Sequence, residues 1–120
     1  MSLQECYKEL DGAFEDVCQR LFSEALVTKF VIKFLDDKSF VQLCNSIETS
    51  DYSQAFIAAH TMKGICQNLS FTRLHESSHN LTEALRNDNP DADLVNELFM
   101  KVKSDYQITA NAIQKLKNEK

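Results

Sequence analysis

Two glycines and one proline are all that punctuate this chain of 120 residues. A β-sandwich or barrel needs many turns marked by Gly or Pro, and a Rossmann or P-loop nucleotide site needs a glycine-rich loop. The sequence offers neither, which excludes a self-contained kinase or NAD enzyme. What remains is helix. Leu3 to Leu10 reads as a short helix stopped by the Asp11-Gly12 turn signal. Phe14, Val17, Cys18, Leu21 and Phe22 repeat at helical spacing, and Leu26, Val27, Phe30, Val31, Phe34 and Leu35 form paired apolar steps on one face. Asp36-Asp37 breaks that run before Phe40, Cys44 and Ile47 open another stripe.

From residue 51 the pattern sharpens. Asp51 followed by Gln54 resembles a capping box. The helix it opens runs to about Asn68, with Ala55, Ala58, Ala59, Met62, Ile65, Cys66 and Leu69 on its buried face. Ser70 is placed to N-cap the next helix, Phe71 to Arg86, whose stripe is Leu74, Ser78, Leu81 and Leu85. Asn87-Asp88-Asn89-Pro90 ends it, with Pro90 suited to the first turn of a last helix. That helix carries Val95, Leu98, Phe99, Val102, Tyr106, Thr109, Ile113 and Leu116 down one side. The predicted fold is all-α, an antiparallel up-and-down four-helix bundle with short additional N-terminal helices. It forms one domain over 1–120, with cap helices over about 1–50, a histidine-bearing hairpin over about 51–88 and a C-terminal helix over about 91–117.

Charge and cysteine spacing narrow the function classes. The formal net charge is −5, which argues against nucleic acid as a partner because phosphate neutralisation needs a basic stripe. Cys6, Cys18, Cys44 and Cys66 contain no CxxC pair, so neither a zinc ribbon nor a redox dithiol is indicated. No apolar run near the start reads as a signal peptide, and Lys29 and Lys33 interrupt the most hydrophobic stretch. A cytoplasmic protein with reduced thiols, no membrane segment and a monomeric state is expected. The cations of Lys115 and Lys117 complement the dipole of the last helix end.

The chemistry concentrates in Ala59-His60-Thr61-Met62-Lys63-Gly64. At 100° per residue His60 lies about 200° from both Ala58 and Met62, so it points away from the core. Lys63, Gly64 and Gln67 share its face. A glycine inside a helix costs roughly 1 kcal/mol relative to alanine. One turn from a histidine it leaves bare backbone, with room for a group on the imidazole and for a close partner. Lys63 can set an ammonium against a tetrahedral anion. Nucleophile, cation and clearing together describe a histidine that accepts a phosphoryl group.

His60-Thr61-Met62-Lys63-Gly64, followed by Leu69 and Leu74, resembles the signature of histidine phosphotransfer (HPt) domains of the stand-alone bacterial type. The usual pattern is His-x-(Leu/Met/Ile)-Lys-Gly, then a Leu-Gly or Phe-Gly pair; Ser70 stands where that second glycine is usual. The resemblance implies a phosphocarrier in a two-component His–Asp phosphorelay, without its own kinase or ATP site. His60 would accept the phosphoryl group, Lys63 hold its oxygens and Gly64 provide clearance. Response-regulator receiver domains and a hybrid histidine kinase would be the partners. No cofactor is implied, Mg²⁺ being expected only on the receiver. An antiparallel hairpin turning near residue 70 sets His60 beside residues 79 to 83. Thr82, with Glu83 or Gln67 as substitutes, would accept the second imidazole N–H, and His79 matches a histidine found in chemotaxis-kinase phosphotransfer domains.

Three other readings compete. His75 and His79 are spaced to chelate zinc from one helix, with His60 opposite as a third ligand. A helical adaptor could bind a signalling partner through the same face without phosphorylation. A sensor-kinase dimerisation helix would carry an acidic residue and a proline after the histidine, whereas this chain has Thr61 and no proline before Pro90.

Overall fold

The computed structural model describes residues 1–119. Seven α-helices follow one another among them: α1 (Leu3–Leu10), α2 (Phe14–Leu21), α3 (Glu24–Lys33), α4 (Ser39–Glu48), α5 (Tyr52–Leu69), α6 (Thr72–Leu85) and α7 (Ala92–Asn118), with a 3-10 turn at Phe34–Asp36 after α3. Consecutive helices from α4 to α7 pack side by side as an up-and-down bundle. The ring is closed between α4 and α7 by Phe40 and Tyr106, stacked at 3.8 Å and 6°. α1 lies along α7, and α3 with its 3-10 turn packs on α7 and α5. The N-terminal helices therefore flank the bundle as well as covering its end.

Several helices begin or end for a local reason. Ser2 and Glu5 form a reciprocal capping box at α1. At α5 only half of the expected box is present: the Asp51 side chain accepts from the Gln54 N–H, while the Asp51 N–H donates to the Ser46 carbonyl. Asp91 caps α7, accepting from the N–H groups of Asp93 and Leu94. Pro90 therefore precedes the cap rather than occupying the first turn. Among the described residues, four other than glycine take a left-handed backbone: Asp11, Phe22, Ser50 and Ser70, each closing a helix or its connection. That conformation ordinarily favours glycine, and its adoption by Asp, Phe and Ser is how so many helices end with so few glycines.

Ser70 corrects the sequence reading. It is the C-cap of α5, at φ 57° and ψ 40°, and α6 starts after Phe71 with no side-chain cap. A left-handed backbone without glycine costs on the order of 1–2 kcal/mol. A cluster of bonds offsets that strain. The Ser70 hydroxyl donates to Asp16 at 2.6 Å and accepts from Arg20 at 3.0 Å. Arg20 also donates to the carbonyls of Gln67 and Asn68, two of the orphan acceptors at the end of α5. The buried Tyr7 hydroxyl donates to the Leu69 carbonyl at 2.7 Å. The Ser70 carbonyl accepts from the Ala13 N–H at 2.8 Å.

The buried face of α5 is as expected except that Ile65 is only half-buried. α3 departs further. Val27 and Val31, with Phe34 of the following 3-10 turn, are in the core, but Leu26 and Phe30 are exposed; Phe22, the left-handed C-cap of α2, is 91% exposed. Helix α3 sits outside the four-helix ring, so only a narrow stripe of it finds a covering surface. On α7 the stripe includes a residue its periodicity conceals: Asp105 is 1% exposed, one carboxylate oxygen accepting from Lys101 Nζ at 3.1 Å.

Candidate functional site

Helix α5 turns Ala55, Ala58, Ala59 and Met62 inward, and the opposite phase brings His60 and Gly64 to the surface as exposed residues. A Cβ built on Gly64 meets nothing within 4 Å. The fold would accept alanine there, and the bare backbone faces solvent. Lys63 is half-buried on the flank toward α6, where its charge acts on both His75 and Glu83. Ile57, one turn before His60, is 56% exposed.

Helix α6 contributes differently from expectation. Thr82 is fully buried, and its hydroxyl donates to the Ser78 carbonyl at 2.6 Å. The buried arc of α6 is wider than the Leu74–Leu81–Leu85 stripe: Ser77, Ser78 and Thr82 are all inside it. Glu83 is exposed, and its carboxylate accepts from Arg86 Nε at 2.9 Å. That hydrogen bond, with the charges of Arg86, His79 and Lys63, holds the Glu83 carboxyl below its ordinary value. Neither Thr82 nor Glu83 bonds the His60 imidazole: Thr82 lies inside the bundle with its hydroxyl turned to Ser78, and Glu83 is turned to Arg86. His79 is half-buried and parallel to His75, ring centres 6.3 Å apart at 14°. Burial, then the charges of His79 and Lys63, pushes His75 below the usual histidine value. Gln67 is exposed about 10 Å along the helix axis from His60; its carbonyl belongs to the Arg20 cluster.

The ring of His60 has one aromatic neighbour the spacing argument did not use. Phe56 stacks on it at 5.9 Å and 26°. Arg86 lies over the Phe56 ring, 5.1 Å from its centre. A run of contacts, Glu83 to Arg86 to Phe56 to His60, thus crosses from α6 to α5.

The zinc alternative does not assemble. Among the described residues no group of three or more His, Cys, Asp and Glu side chains is gathered to hold a metal. The four cysteines are free, Cys6 and Cys66 buried and Cys18 and Cys44 half-buried. Burial pushes the Cys6 thiol up to about 11. No helix among the described residues is long and apolar enough to cross a membrane.

Fold and surface together define a helical bundle whose distinguishing feature is a solvent-facing imidazole in mid-helix, with a cation and a glycine on the next turn. The family model of the Hpt domain matches residues 3–118, and the chain belongs to that family. Members are histidine phosphotransfer modules of two-component signalling; they carry phosphoryl groups and interact with receiver domains and histidine kinases. No curated protein and no solved structure matches the chain.

Proposed function

We propose that His60 is the phosphoryl carrier and that the chain relays the group between the aspartates of receiver domains, or from a hybrid histidine kinase. An unprotonated ring nitrogen attacks the phosphorus of an aspartyl phosphate. The N–P bond forms as the P–O bond to the donor aspartate breaks, and the carboxylate leaves. The reverse displacement passes the group to a second receiver aspartate. Lys63 offsets charge on the phosphoryl oxygens, and the receiver supplies Mg²⁺ and its own acidic pocket. The transfer is largely a matter of positioning and charge stabilisation, which few side chains can provide.

The observation that carries this reading is Gly64. A helix-interior glycine is unfavourable by roughly 1 kcal/mol, and no packing contact in the fold asks for it. Its use lies outside the fold, with whatever approaches His60. A monomer with no resident metal or cofactor suffices for this chemistry.

The test mixes the protein with a radiolabelled phospho-receiver. Label should move onto the chain, be acid-labile and base-stable, and be absent from His60→Gln. Transfer that survives His60→Gln would sink His60 as the carrier and point to His79. No transfer from several receivers, with the bundle folded, would favour an adaptor that binds without phosphorylation.

A further inference from the structure

We infer that Phe56 and Arg86 are positioning residues for His60, holding the imidazole by stacking where the expected hydrogen bond to its second nitrogen is not made. The inference rests on the reading of His60 as the carrier. Three contacts support it. Phe56 and His60 are one turn apart on α5, with ring planes 26° from parallel. Offset stacking of this kind restricts an exposed side chain that would otherwise sample several rotamers. Arg86 then covers the Phe56 ring at 5.1 Å, an arrangement favoured by the ring's quadrupole. Glu83 fixes the guanidinium in turn through the 2.9 Å bond to Nε.

The alternatives for orienting His60 are weaker. Thr82 is buried with its hydroxyl turned to Ser78, and Glu83 faces Arg86. Lys63 is a cation and cannot accept the imidazole N–H. Stacking leaves both ring nitrogens uncovered: one is free to attack phosphorus, and the other can donate to water. Arg86 and Phe56 also line an open groove of about 390 Å³ with Tyr52, Leu85 and Pro90, so what braces the stack is the Arg86–Glu83 pair of α6 rather than packing on that side.

The experiment uses the full chain as wild type, Arg86→Ala, Phe56→Leu and Phe56→Tyr. Two readouts are taken besides thermal unfolding. One is the position of the His60 ring-proton resonances in the free protein; the other is the rate of label transfer from a phospho-receiver. Arg86→Ala and Phe56→Leu should both move the His60 resonances and slow transfer about three- to tenfold, the range expected of one stacking contact. Phe56→Tyr should restore both. Arg86→Ala removes an exposed side chain and keeps the test sound if Phe56→Leu perturbs folding. Slowed transfer with unmoved resonances would mean that Arg86 touches the receiver, and would overturn the inference. So would variants that match the wild type in both readouts. Absence of label on wild-type His60 would instead sink the carrier reading, and the resonances would still report whether the stack exists.

Discussion

The two glycines of this chain answer to different demands. A Cβ added at Gly12 would lie 2.7 Å from Tyr7 Cδ2, 2.8 Å from the Ser70 carbonyl oxygen and 2.9 Å from Leu10 Cδ1. One added at Gly64 would meet nothing within 4 Å. Gly12 lies where the α1–α2 connection docks against the α5–α6 turn, inside the cluster built on Ser70. Gly64 lies on the open face of the same α5. One end of this helix is over-determined by its own fold, and its middle is left bare for something else. A glycine that the fold does not use is the more informative about function.

Substitutions at the closed end should show the largest effects on stability. Gly12→Ala drives a methyl group into a backbone carbonyl already bonded to Ala13, and overpacking of this kind costs about 1–3 kcal/mol. Thermal unfolding should fall by roughly 3–6 °C per kcal/mol; an unchanged midpoint would show that the turn can move aside. Ser70→Ala keeps the left-handed backbone and loses the bonds to Asp16 and Arg20, a loss of about 1–2 kcal/mol, measured by urea titration. The same variant has a pH signature. The Asp16 carboxyl is held below its ordinary value, first by the Ser70 hydroxyl and then by Arg20. A depressed carboxyl stabilises the fold above its unfolded value near 3.9, and that contribution is lost as pH falls through the lower folded value. The acid-side decline should be shallower in Ser70→Ala than in the wild type.

At the open face the signs separate. Gly64→Ala should stabilise the helix by roughly 1 kcal/mol while slowing phosphoryl transfer. A variant both more stable and equally fast would remove the argument for clearance at this position. The smallest effect belongs to His75. Its lowered value favours the neutral ring in the fold, so the unfolded chain takes up a proton first as pH drops below about 6.5. Stability should decline over that window until the folded value is passed, and His75→Gln should flatten the decline. A slope unaffected by the substitution would assign it to another group.

Much of the bundle was legible because its signals are local. The apolar phase of α5 and α7, the Asp51 cap and the outward phase of His60 all follow from residues within a few turns of one another. What stayed hidden depends on partners far along the chain. Nothing near Ser70 announces that Asp16 and Arg20 will satisfy its hydroxyl, so its serine read as an N-cap instead of a strained C-cap. Thr82 falls one step off a stripe of leucines, and it is inside because α6 buries a wider arc, Ser77 and Ser78 included, than that stripe marks. Phe22 and Phe30 read as core from their period, but Phe22 closes α2 with a left-handed backbone that leaves the helical phase, and α3, outside the ring, has too little neighbouring surface to cover Phe30. The stack on His60 joins two residues visible in the sequence by a contact that spacing alone does not define.

The pairing of α1 with α7 bears on the order in which the molecule forms. Lys115 bonds to Glu9 across a separation of 106 residues, whereas α4 through α7 meet as successive hairpins. Closing short loops precedes closing long ones on entropic grounds. The hairpins should therefore be largely built at the rate-limiting barrier, with α1 arriving after it. In stopped-flow kinetics, Leu10→Ala should speed unfolding and leave the refolding rate nearly unchanged. Helix α1 would be the last to settle, and the bond from Tyr7 to the Leu69 carbonyl, which braces the α5–α6 turn, would form only at that final step.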